Sequence, residues 1–449
     1  MNGNVYVVHC IDTEGPLNES ITATFDRVYG LTGIRLKPSY ETLEKIQRKE
    51  IDLGGFEEVA SYVFSKRFQS YCRTWYEVED MLSDLTSDGF RKKYKDSYGN
   101  GWTYSWFIVD LADFVTNPRD RALGYHNVWD HYKQFYALHD IEYDEFQWHA
   151  HPMSTYGEAN RCATSYINSP HILQSLARRL IDKGFFPNCF RPGYHTERPD
   201  SHWLLEQYIP FDYANQAVEF TEYDREQGGI ADGRNGDWRR APSTWEPYHP
   251  SHDDYQVPGD CRRTIFRCLN VGTRMRCMTQ DEVDKAFARA DAGEDTIIAF
   301  ADHDFRDMRP DIEDMYDMLK SAEKRFPNVK WVNAKASEAA KKVLKLSDTP
   351  IHLNTEVKRY KGKCILVVET DQDSFGPQPF LAFKLRGGRY YLDNFDFQEP
   401  RRKWTYTFDA DTIHEEDVEA IGIATNSLVG TGALKVITLN NVILKERMW

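Results

Sequence analysis

The feature that most constrains the fold of this chain is the alternation of apolar runs and helical periodicity over residues 1–345. The run NVYVVHCI, residues 4–11, predicts a buried strand, and 103–111 predicts a second one. Residues 126–139 then carry helical spacing. Further strands are predicted at 142–152, 187–194, 295–305 and 329–334, and further helices at 171–185, 201–208, 279–293, 311–326 and 336–346. Strands that alternate with helices predict an α/β fold with a mostly parallel sheet or barrel.

Two stretches interrupt this alternation, at about 17–100 and about 214–262. We expect both to be large insertions over one end of the barrel, where functional loops lie. The second insertion is rich in aromatic residues, which either stack on sugar faces or pack the insertion onto the barrel. The aromatic residues in question are Trp238, Trp245, Tyr248 and Tyr255.

After Thr349 the pattern changes to short apolar runs separated by turns, including a hairpin signal at Gly387-Gly388. The sequence therefore predicts two domains. Residues 1–345 would form the barrel, and 350–449 would form a separate all-β, sandwich-like domain. Such a domain could also serve for carbohydrate binding or for homo-oligomer formation.

The composition excludes several classes of protein. The chain has 449 residues and a formal net charge of −14, which argues against nucleic-acid binding because phosphates need a basic face. A local basic pocket for a phosphorylated small molecule stays compatible with that charge. We find no apolar run long enough to span a membrane and no signal peptide before the first strand. The eight cysteines form no CxxC pair, so we expect reduced thiols and a cytoplasmic protein.

Polar side chains follow the ends of several predicted strands. Asp12 and Glu14 end the first strand, and residues at i and i+2 of a strand point to the same face. His149 and His151 end another strand, and Arg191 and His303 end two more. In an α/β barrel the carboxyl ends of the strands form the rim that carries the active site. We therefore expect these side chains to meet there.

The HxH pair of His149 and His151 can place two imidazoles on one metal ion, with Glu14 as a third ligand. Two histidines and one carboxylate suit zinc first, and also iron, cobalt or nickel. Each residue also has a structural alternative that the sequence leaves open. The histidines could be hydrogen-bonded residues without a metal, Asp12 could form an Asx turn before Gly15, and Arg191 could make a structural ion pair. His303 could likewise be a hydrogen-bonded residue of the rim.

The order of these motifs resembles the polysaccharide deacetylase family, also called the NodB-homology or carbohydrate esterase family 4 group. The matching segments, in chain order, are IDTEGP (11–16), SWFIVD (105–110), HAHP (149–152), FRPGY (190–194) and FADHD (300–304). The likeness spans about 1–340 and implies a distorted (β/α) barrel of NodB-homology type. The chain resembles a divergent member, because the second acid is Glu, the histidines are HxH instead of HxxxH, and RPGY replaces RPPY.

The resemblance also implies roles for the site residues. The implied catalytic residues are Asp12, Arg191 and His303, and the implied metal ligands are Glu14, His149 and His151. Asp12 would be the base, held by Arg191, and His303 would be the general acid. We expect the acids on either side of His303, Asp302 and Asp304, to favour its imidazolium form. Because both acids of the first motif are carboxylates, Asp12 and Glu14 could exchange roles.

The function implied by the resemblance is metal-dependent hydrolysis of an acetyl or other acyl group from an N-acetylated sugar. A cytoplasmic location would favour a nucleotide sugar or lipid-linked saccharide, as a precursor of surface polysaccharide or lipopolysaccharide. Two alternatives stay open. One is another carbon–nitrogen (amide) hydrolase on the same fold, which metal content would distinguish. The other is a non-catalytic carbohydrate-binding scaffold.

Overall fold

The computed structural model describes residues 2–163, 165–219, 236–272 and 277–449. Its first large sheet contains the strands β1 (Asn4–Thr13), β2 (Ser105–Asp110), β3 (Glu145–Ala150), β4 (Cys189–Pro192), β5 (Phe211–Asn215), β6 (Thr264–Asn270), β7 (Thr296–His303) and β8 (Lys330–Asn333). Within the described residues, β1 to β7 are parallel, each pairs with the next, and β7 pairs with β1, which closes a seven-stranded barrel. The predicted α/β barrel is confirmed.

The barrel is distorted at the edge of β1. The first residues of this strand, Asn4–Val7, pair with β8, whereas Cys10–Thr13 pair with β2. The other edge of β1 pairs with β7 from Val5 to Asp12. One edge of β1 pairs first with β8 and then with β2, so β2 contacts β1 only near the carboxyl end of β1. That end carries Asp12 and Glu14.

The first insertion is helical. Residues 17–100 contain α1 (Ile21–Thr32), α2 (Tyr40–Gln47), α3 (Glu57–Val63), α4 (Trp75–Leu85) and α5 (Asp88–Lys93). Four of these helices begin after a Ser or Thr whose side chain accepts a backbone N–H, the usual N-cap arrangement. Helices α1 to α3 share a small apolar core around Phe25, Val28 and Ile46. The insertion is joined to the rim by backbone hydrogen bonds, including one from Cys72 N to Phe305 O.

The remaining helices connect the barrel strands. They are α6 (Asn127–Leu138), α7 (Pro170–Arg178), α8 (His202–Tyr208), α9 (Gln280–Asp291), α10 (Arg309–Arg325) and α11 (Ala336–Val343). Helix α7 continues as a π-helical turn and ends at Gly184, which has a left-handed φ of 62°. Each helix predicted from periodicity is present within a few residues. Among the described residues, no helix combines the length and the apolar character that crossing a membrane requires.

The sequence interpretation missed two barrel strands, β5 and β6. Polar residues interrupt their apolar pattern, Asp212 in β5 and Arg267 in β6. These polar side chains are buried in ion pairs: Arg263 Nε lies 3.3 Å from Asp212 Oδ2, and Arg267 Nη1 lies 2.5 Å from Glu282 Oε2. Only tertiary contacts make such strands recognisable. The second predicted insertion therefore lies between β5 and β6, and its residues 220–235 are outside the described residues.

The aromatic residues of this second insertion pack it onto the barrel. Trp238 is 1% exposed and Tyr255 is 5% exposed, and both belong to an apolar cluster with Ile265 of β6. Trp238 Nε1 donates a hydrogen bond to His195 O at 3.0 Å. Trp245 and Tyr248 are also buried. Packing, rather than sugar stacking, accounts for these four side chains.

The C-terminal part is antiparallel. It contains β9 (Leu353–Tyr360), β10 (Lys363–Thr370), β11 (Phe380–Leu385), β12 (Tyr390–Asp393), β13 (Asp396–Glu399), β14 (Lys403–Phe408), β15 (Val418–Asn426), β16 (Gly432–Ile437) and β17 (Ile443–Met448). The strands form two sheets, in the orders β13-β14-β10-β9 and β12-β11-β15-β16-β17. Leu366 and Trp404 from the first sheet pack against Phe383 and Ile421 from the second. The expected sandwich-like arrangement is confirmed.

The outer face of the five-stranded sheet packs against the barrel. Phe380 contacts the rings of Phe186 and Tyr208 at centroid distances of 5.6 and 5.2 Å. Asn426 Nδ2 donates to the carbonyl oxygens of Pro187 and Tyr208, both at 2.8 Å. The main apolar core of the barrel continues without a break into this sheet.

We predict that truncation to residues 1–348 yields a protein that aggregates. Removing 350–449 would expose Phe186 and Tyr208, and exposed apolar patches of this kind promote association. Soluble yield and binding of a hydrophobic dye measure this effect. Asn426→Ala should be milder and lower the melting temperature without aggregation, since it removes three side-chain hydrogen bonds, to Pro187 O, Tyr208 O and Trp449 Nε1. A soluble, monomeric truncated protein with an unchanged melting temperature would instead support two independent domains.

Candidate active site

The candidate site residues meet at one rim of the barrel, because the strands that carry them are parallel and in register. Asp12 of β1 lies opposite His303 of β7 in the strand pairing. His149 of β3 lies opposite Arg191 of β4. Glu14 and His151 follow directly after β1 and β3. All these side chains except that of His303 are buried, and His303 is 22% exposed toward the cleft above them.

Glu14, His149 and His151 form a compact group of ligand atoms. Glu14 Oε1 lies 3.2 Å from His149 Nε2 and 3.1 Å from His151 Nε2, and the two nitrogens are 2.9 Å apart. Three ligands on a common ion at about 2.0–2.2 Å must lie roughly this close to one another. The chemistry of the set, two imidazoles and one carboxylate, is that of an open zinc or iron site.

The surroundings of the histidines suit metal binding. His149 Nδ1 lies 2.9 Å from the backbone oxygen of Arg191, which selects the tautomer with a free lone pair on Nε2. Burial lowers the pKa of His149, and burial together with His149 and Arg121 lowers the pKa of His151 further. Both rings are therefore neutral at pH 7, the form that binds a metal. The residues present fit a divalent metal ion.

Arg121 is a member of the site that the sequence interpretation missed. Its Nη2 atom forms a buried ion pair with Glu14 Oε2, the carboxylate oxygen that faces away from the imidazoles. Arg121 thus fixes the orientation of the carboxylate and leaves Oε1 for a metal. It lies in the loop after β2, in a segment without periodicity, and no spacing rule connects it to Glu14.

Asp12 and Arg191 form a buried, bidentate ion pair. Arg191 Nε lies 2.6 Å from Asp12 Oδ1, and Arg191 Nη2 lies 3.0 Å from Asp12 Oδ2. Burial alone would raise the pKa of Asp12, but Arg191, with His149 and His303, overcomes this and holds that pKa well below its usual range. The third guanidinium nitrogen donates to Tyr213 O at 2.7 Å. Asp12 is therefore ionised and held in one orientation.

His303 lies beside Asp12. Its neighbours in sequence, Asp302 and Asp304, were expected to favour its imidazolium form, but their carboxylates bind backbone N–H groups instead. His303 Nε2 is 3.7 Å from Asp12 Oδ2. Asp302 Oδ1 accepts the backbone N–H of His303 at 2.7 Å, and Asp304 binds the turn after β1 instead. Burial lowers the pKa of His303 to about 3, although Asp12 opposes this. The expectation of a resting imidazolium is wrong, because a neutral ring costs less to bury than a charged one.

Asp304 explains the shape of the DTEGP segment. Its carboxylate accepts the N–H groups of Glu14 at 2.7 Å and Gly15 at 2.9 Å, and the hydroxyl of Tyr132 at 2.8 Å. Gly15 has a φ of 71°, and a side chain there would collide with Trp75. The chain can therefore turn sharply after Glu14, which keeps both carboxylates at the rim.

Gly193 makes room for His151. A Cβ atom at this position would lie 2.2 Å from His151 Cγ, far inside van der Waals contact. The next residue, Tyr194, has a left-handed φ of 54°, and its ring meets the His151 ring edge-on at 5.1 Å. The glycine in FRPGY is thus required by the position of a candidate metal ligand.

A second group of ligand-type atoms, His202, Glu206 and Cys261, lies outside the rim. Arg263 occupies its centre, with Nη1 2.6 Å from His202 Nδ1 and 3.2 Å from Glu206 Oε1. A guanidinium in this position competes with a metal ion for the same lone pairs. We interpret this group as a buried ion-pair network.

Comparisons with known proteins add little beyond this geometry. No protein-family model matches the chain, and no curated protein matches it. One similar solved structure is a protein from Parabacteroides distasonis, provisionally named a glycoside hydrolase/deacetylase. It is 12% identical, the match covers 93% of this chain and 89% of that chain, and the TM-score is 0.37. A likeness of this strength supports no functional inference, which therefore depends on the site itself.

We predict that Gly193→Ala displaces His151 and weakens metal binding at least tenfold, because the new methyl group cannot fit beside the ring. Metal affinity measured by competition with a chromogenic chelator, together with thermal unfolding, checks this. Gly30→Ala is the matched control, since a Cβ at Gly30 meets nothing within 4 Å. Equal metal affinity in the two variants would show that His151 is not a ligand.

Proposed function

We propose that this protein is a metal-dependent hydrolase of the deacetylase type that removes an acetyl group from an N-acetylated sugar. The observation that carries the proposal is the convergence of Glu14, His149 and His151 beside an ionised carboxylate, Asp12. Polysaccharide deacetylases combine the same kinds of residues in the same order along the chain. The arrangement supports a site in which a metal ion and a carboxylate act together.

In this proposal Glu14, His149 and His151 hold the metal ion. When bound, a divalent ion at such a site lowers the pKa of water and polarises a carbonyl group. The remaining residues orient the metal ligands and transfer protons. Arg121 keeps Glu14 oriented, and the carbonyl of Arg191 keeps His149 oriented. These contacts preorganise the ligands before any substrate arrives.

In this proposal Asp12 acts as the base and His303 acts on the leaving group. Asp12 Oδ2 can take a proton from the attacking water, and His303 Nε2, 3.7 Å away, is the next acceptor. His303 is neutral at rest and partly exposed to the cleft, so it can receive that proton and deliver it to the departing nitrogen. Hydrolysis of an amide then gives acetate and the free amine, with one water consumed.

The size of the cleft favours a small acylated group. The cleft has a volume of about 190 Å³, which is below the roughly 300–1,000 Å³ of sites that enclose drug-sized ligands. It suits one sugar unit better than a long polysaccharide segment. We therefore propose a precursor of surface polysaccharide or lipopolysaccharide as the substrate.

We predict that His149→Ala removes most of the bound metal while the fold is retained. Loss of even an outer partner of a metal ligand typically costs 10–100-fold in affinity, so loss of a ligand should cost at least as much. Metal content of protein purified without added metal measures this. Because burial lowers the pKa of His149 and His151, wild-type protein should keep its metal below pH 6.5, where ordinary histidines become protonated.

The control for this experiment is His252→Ala, since His252 is a surface histidine with an 82% exposed side chain. Unchanged metal content in His149→Ala would exclude the proposed ligand set. Activity that survives complete removal of metal would instead favour a metal-independent amide hydrolase.

We predict that Asp12→Asn keeps the metal and loses about 10²–10⁴-fold in turnover, the usual contribution of a general base. Arg191→Lys should behave in the same way, because a lysine keeps the charge but loses the bidentate geometry that orients Asp12. Bound metal and acetate release from a panel of N-acetylated sugars are measured in parallel.

Glu14→Gln distinguishes the role of Glu14 from the role of Asp12. If Glu14 is the ligand, this variant loses metal, and Asp12→Asn does not. The reverse pattern would show that the two carboxylates exchange roles. Asp253→Asn is the control, since the side chain of Asp253 is 97% exposed. Full activity in Asp12→Asn would remove Asp12 from the mechanism.

A further inference from the structure

The lining of the cleft that holds the candidate metal ligands also contains a cluster of two arginines around one acid. Arg27 Nη1 lies 2.8 Å from Glu19 Oε2, and Arg119 Nε lies 2.8 Å from Glu19 Oε1. Tyr71 joins them, with its hydroxyl 3.2 Å from Arg27 Nη1 and 3.3 Å from Arg119 Nη2. Arg27 and Tyr71 come from the helical insertion, whereas Arg119 comes from the loop after β2. We call Arg27, Arg119 and Tyr71 the arginine wall.

The arginine wall carries a net positive charge that faces the cleft. The Glu19 side chain is fully buried, whereas those of Arg27 and Arg119 are 27% and 20% exposed and line the cleft. Burial alone would raise the pKa of Glu19, but the two arginines overcome this and lower it, so the acid is ionised. One carboxylate therefore neutralises one of two guanidinium groups, and one positive charge is left over.

Among the residues that the structure describes, the other charges of the cleft do not cancel this excess. Asp12 is neutralised by Arg191, and Glu14 is neutralised by Arg121. Arg306 also lines the cleft, and its Nη2 lies 3.7 Å from the buried Asp302. A bound divalent cation would add further positive charge. The cleft is thus basic, although the whole chain has a formal net charge of −14.

We propose that the arginine wall binds an anionic group of the substrate, a phosphate or a carboxylate carried by the acetylated sugar. The reaction assumed here rests on the proposed function, whereas the binding of an anion does not depend on it. Paired guanidinium groups present planar sets of N–H donors that match phosphate and carboxylate oxygens. A structural clamp between the insertion and the β2 loop would need only buried arginines. These two keep part of their surface exposed and line the cleft.

The first test measures anion binding by calorimetry in metal-free protein, since phosphate would otherwise bind the metal itself. Inorganic phosphate and glucuronate are the probes, and glucose is the neutral comparison. We expect saturable binding of at least one anion, weakened about 10–100-fold in Arg27→Gln and in Arg119→Gln. The matched control is Arg48→Gln, an exposed arginine of the same insertion that pairs with Glu44 and Glu50. It should bind like wild type.

The two probes distinguish the sources of the anion. Tight phosphate binding indicates a phosphorylated or nucleotide sugar, and tight glucuronate binding indicates an acidic sugar. Arg119→Lys keeps the positive charge and should therefore weaken binding less than Arg119→Gln. Thermal unfolding shows whether each variant is folded. Absence of binding by both anions, or an equal loss in Arg48→Gln, would overturn the inference.

The second test compares N-acetylglucosamine 1-phosphate with N-acetylglucosamine as substrates of the metal-loaded protein. We expect a higher kcat/KM for the phosphorylated sugar, and Arg119→Gln should abolish this preference by lowering kcat/KM for the phosphorylated sugar. If neither sugar releases acetate but anion binding depends on the arginine wall, the proposed reaction fails and the anion site stands. If acetate is released without any preference that depends on Arg119, the anion site fails and the reaction stands.

Discussion

The ion pair between Asp12 and Arg191 is the interaction on which the rim of the barrel depends. Both side chains are buried, and removal of one partner from such a pair typically costs about 3–5 kcal/mol because the other charge is left unpaired. The pair connects β1 to β4 across the barrel. The same arginine holds His149 through its backbone oxygen and reaches Tyr213 O on β5. Arg191 thus orients Asp12 and His149 and connects β4 to three other strands.

A second constraint is the balance of charge around the cleft. Buried carboxylates and guanidinium groups alternate from Asp12 and Arg191 to Glu14 and Arg121, and each acid has an arginine as its ion-pair partner. Burial of ions is tolerated only when partners satisfy them. Glu19 departs from one-to-one pairing, since two arginines share it. Both arginines line the cleft, where we propose that the uncompensated charge binds an anionic group.

Much of the candidate site could be predicted from sequence because the strands that carry it are regular. Asp12, His149, Arg191 and His303 each follow an apolar run, and parallel strands bring their carboxyl ends together. The rest could not. Asp304 was expected to act on His303, yet it binds the turn after β1, since its direction depends on the loop beyond the strand. Arg121 and Arg119 lie in a loop without periodicity, so nothing in the pattern connects them to Glu14 or Glu19.

The sequence by itself determined the class of fold, the change of pattern after Thr349 and the side chains that end the regular strands at the rim, since hydrophobic periodicity depends mainly on local burial. The tertiary structure decided what that pattern does not encode. It closed the barrel through β5 and β6, whose polar residues are satisfied only by distant partners such as Arg263 and Glu282. It also placed the insertion helix with Arg27 over the rim. The direction of a loop and the partner of a buried charge are set by contacts between residues far apart in the chain, and these form only when the whole core packs.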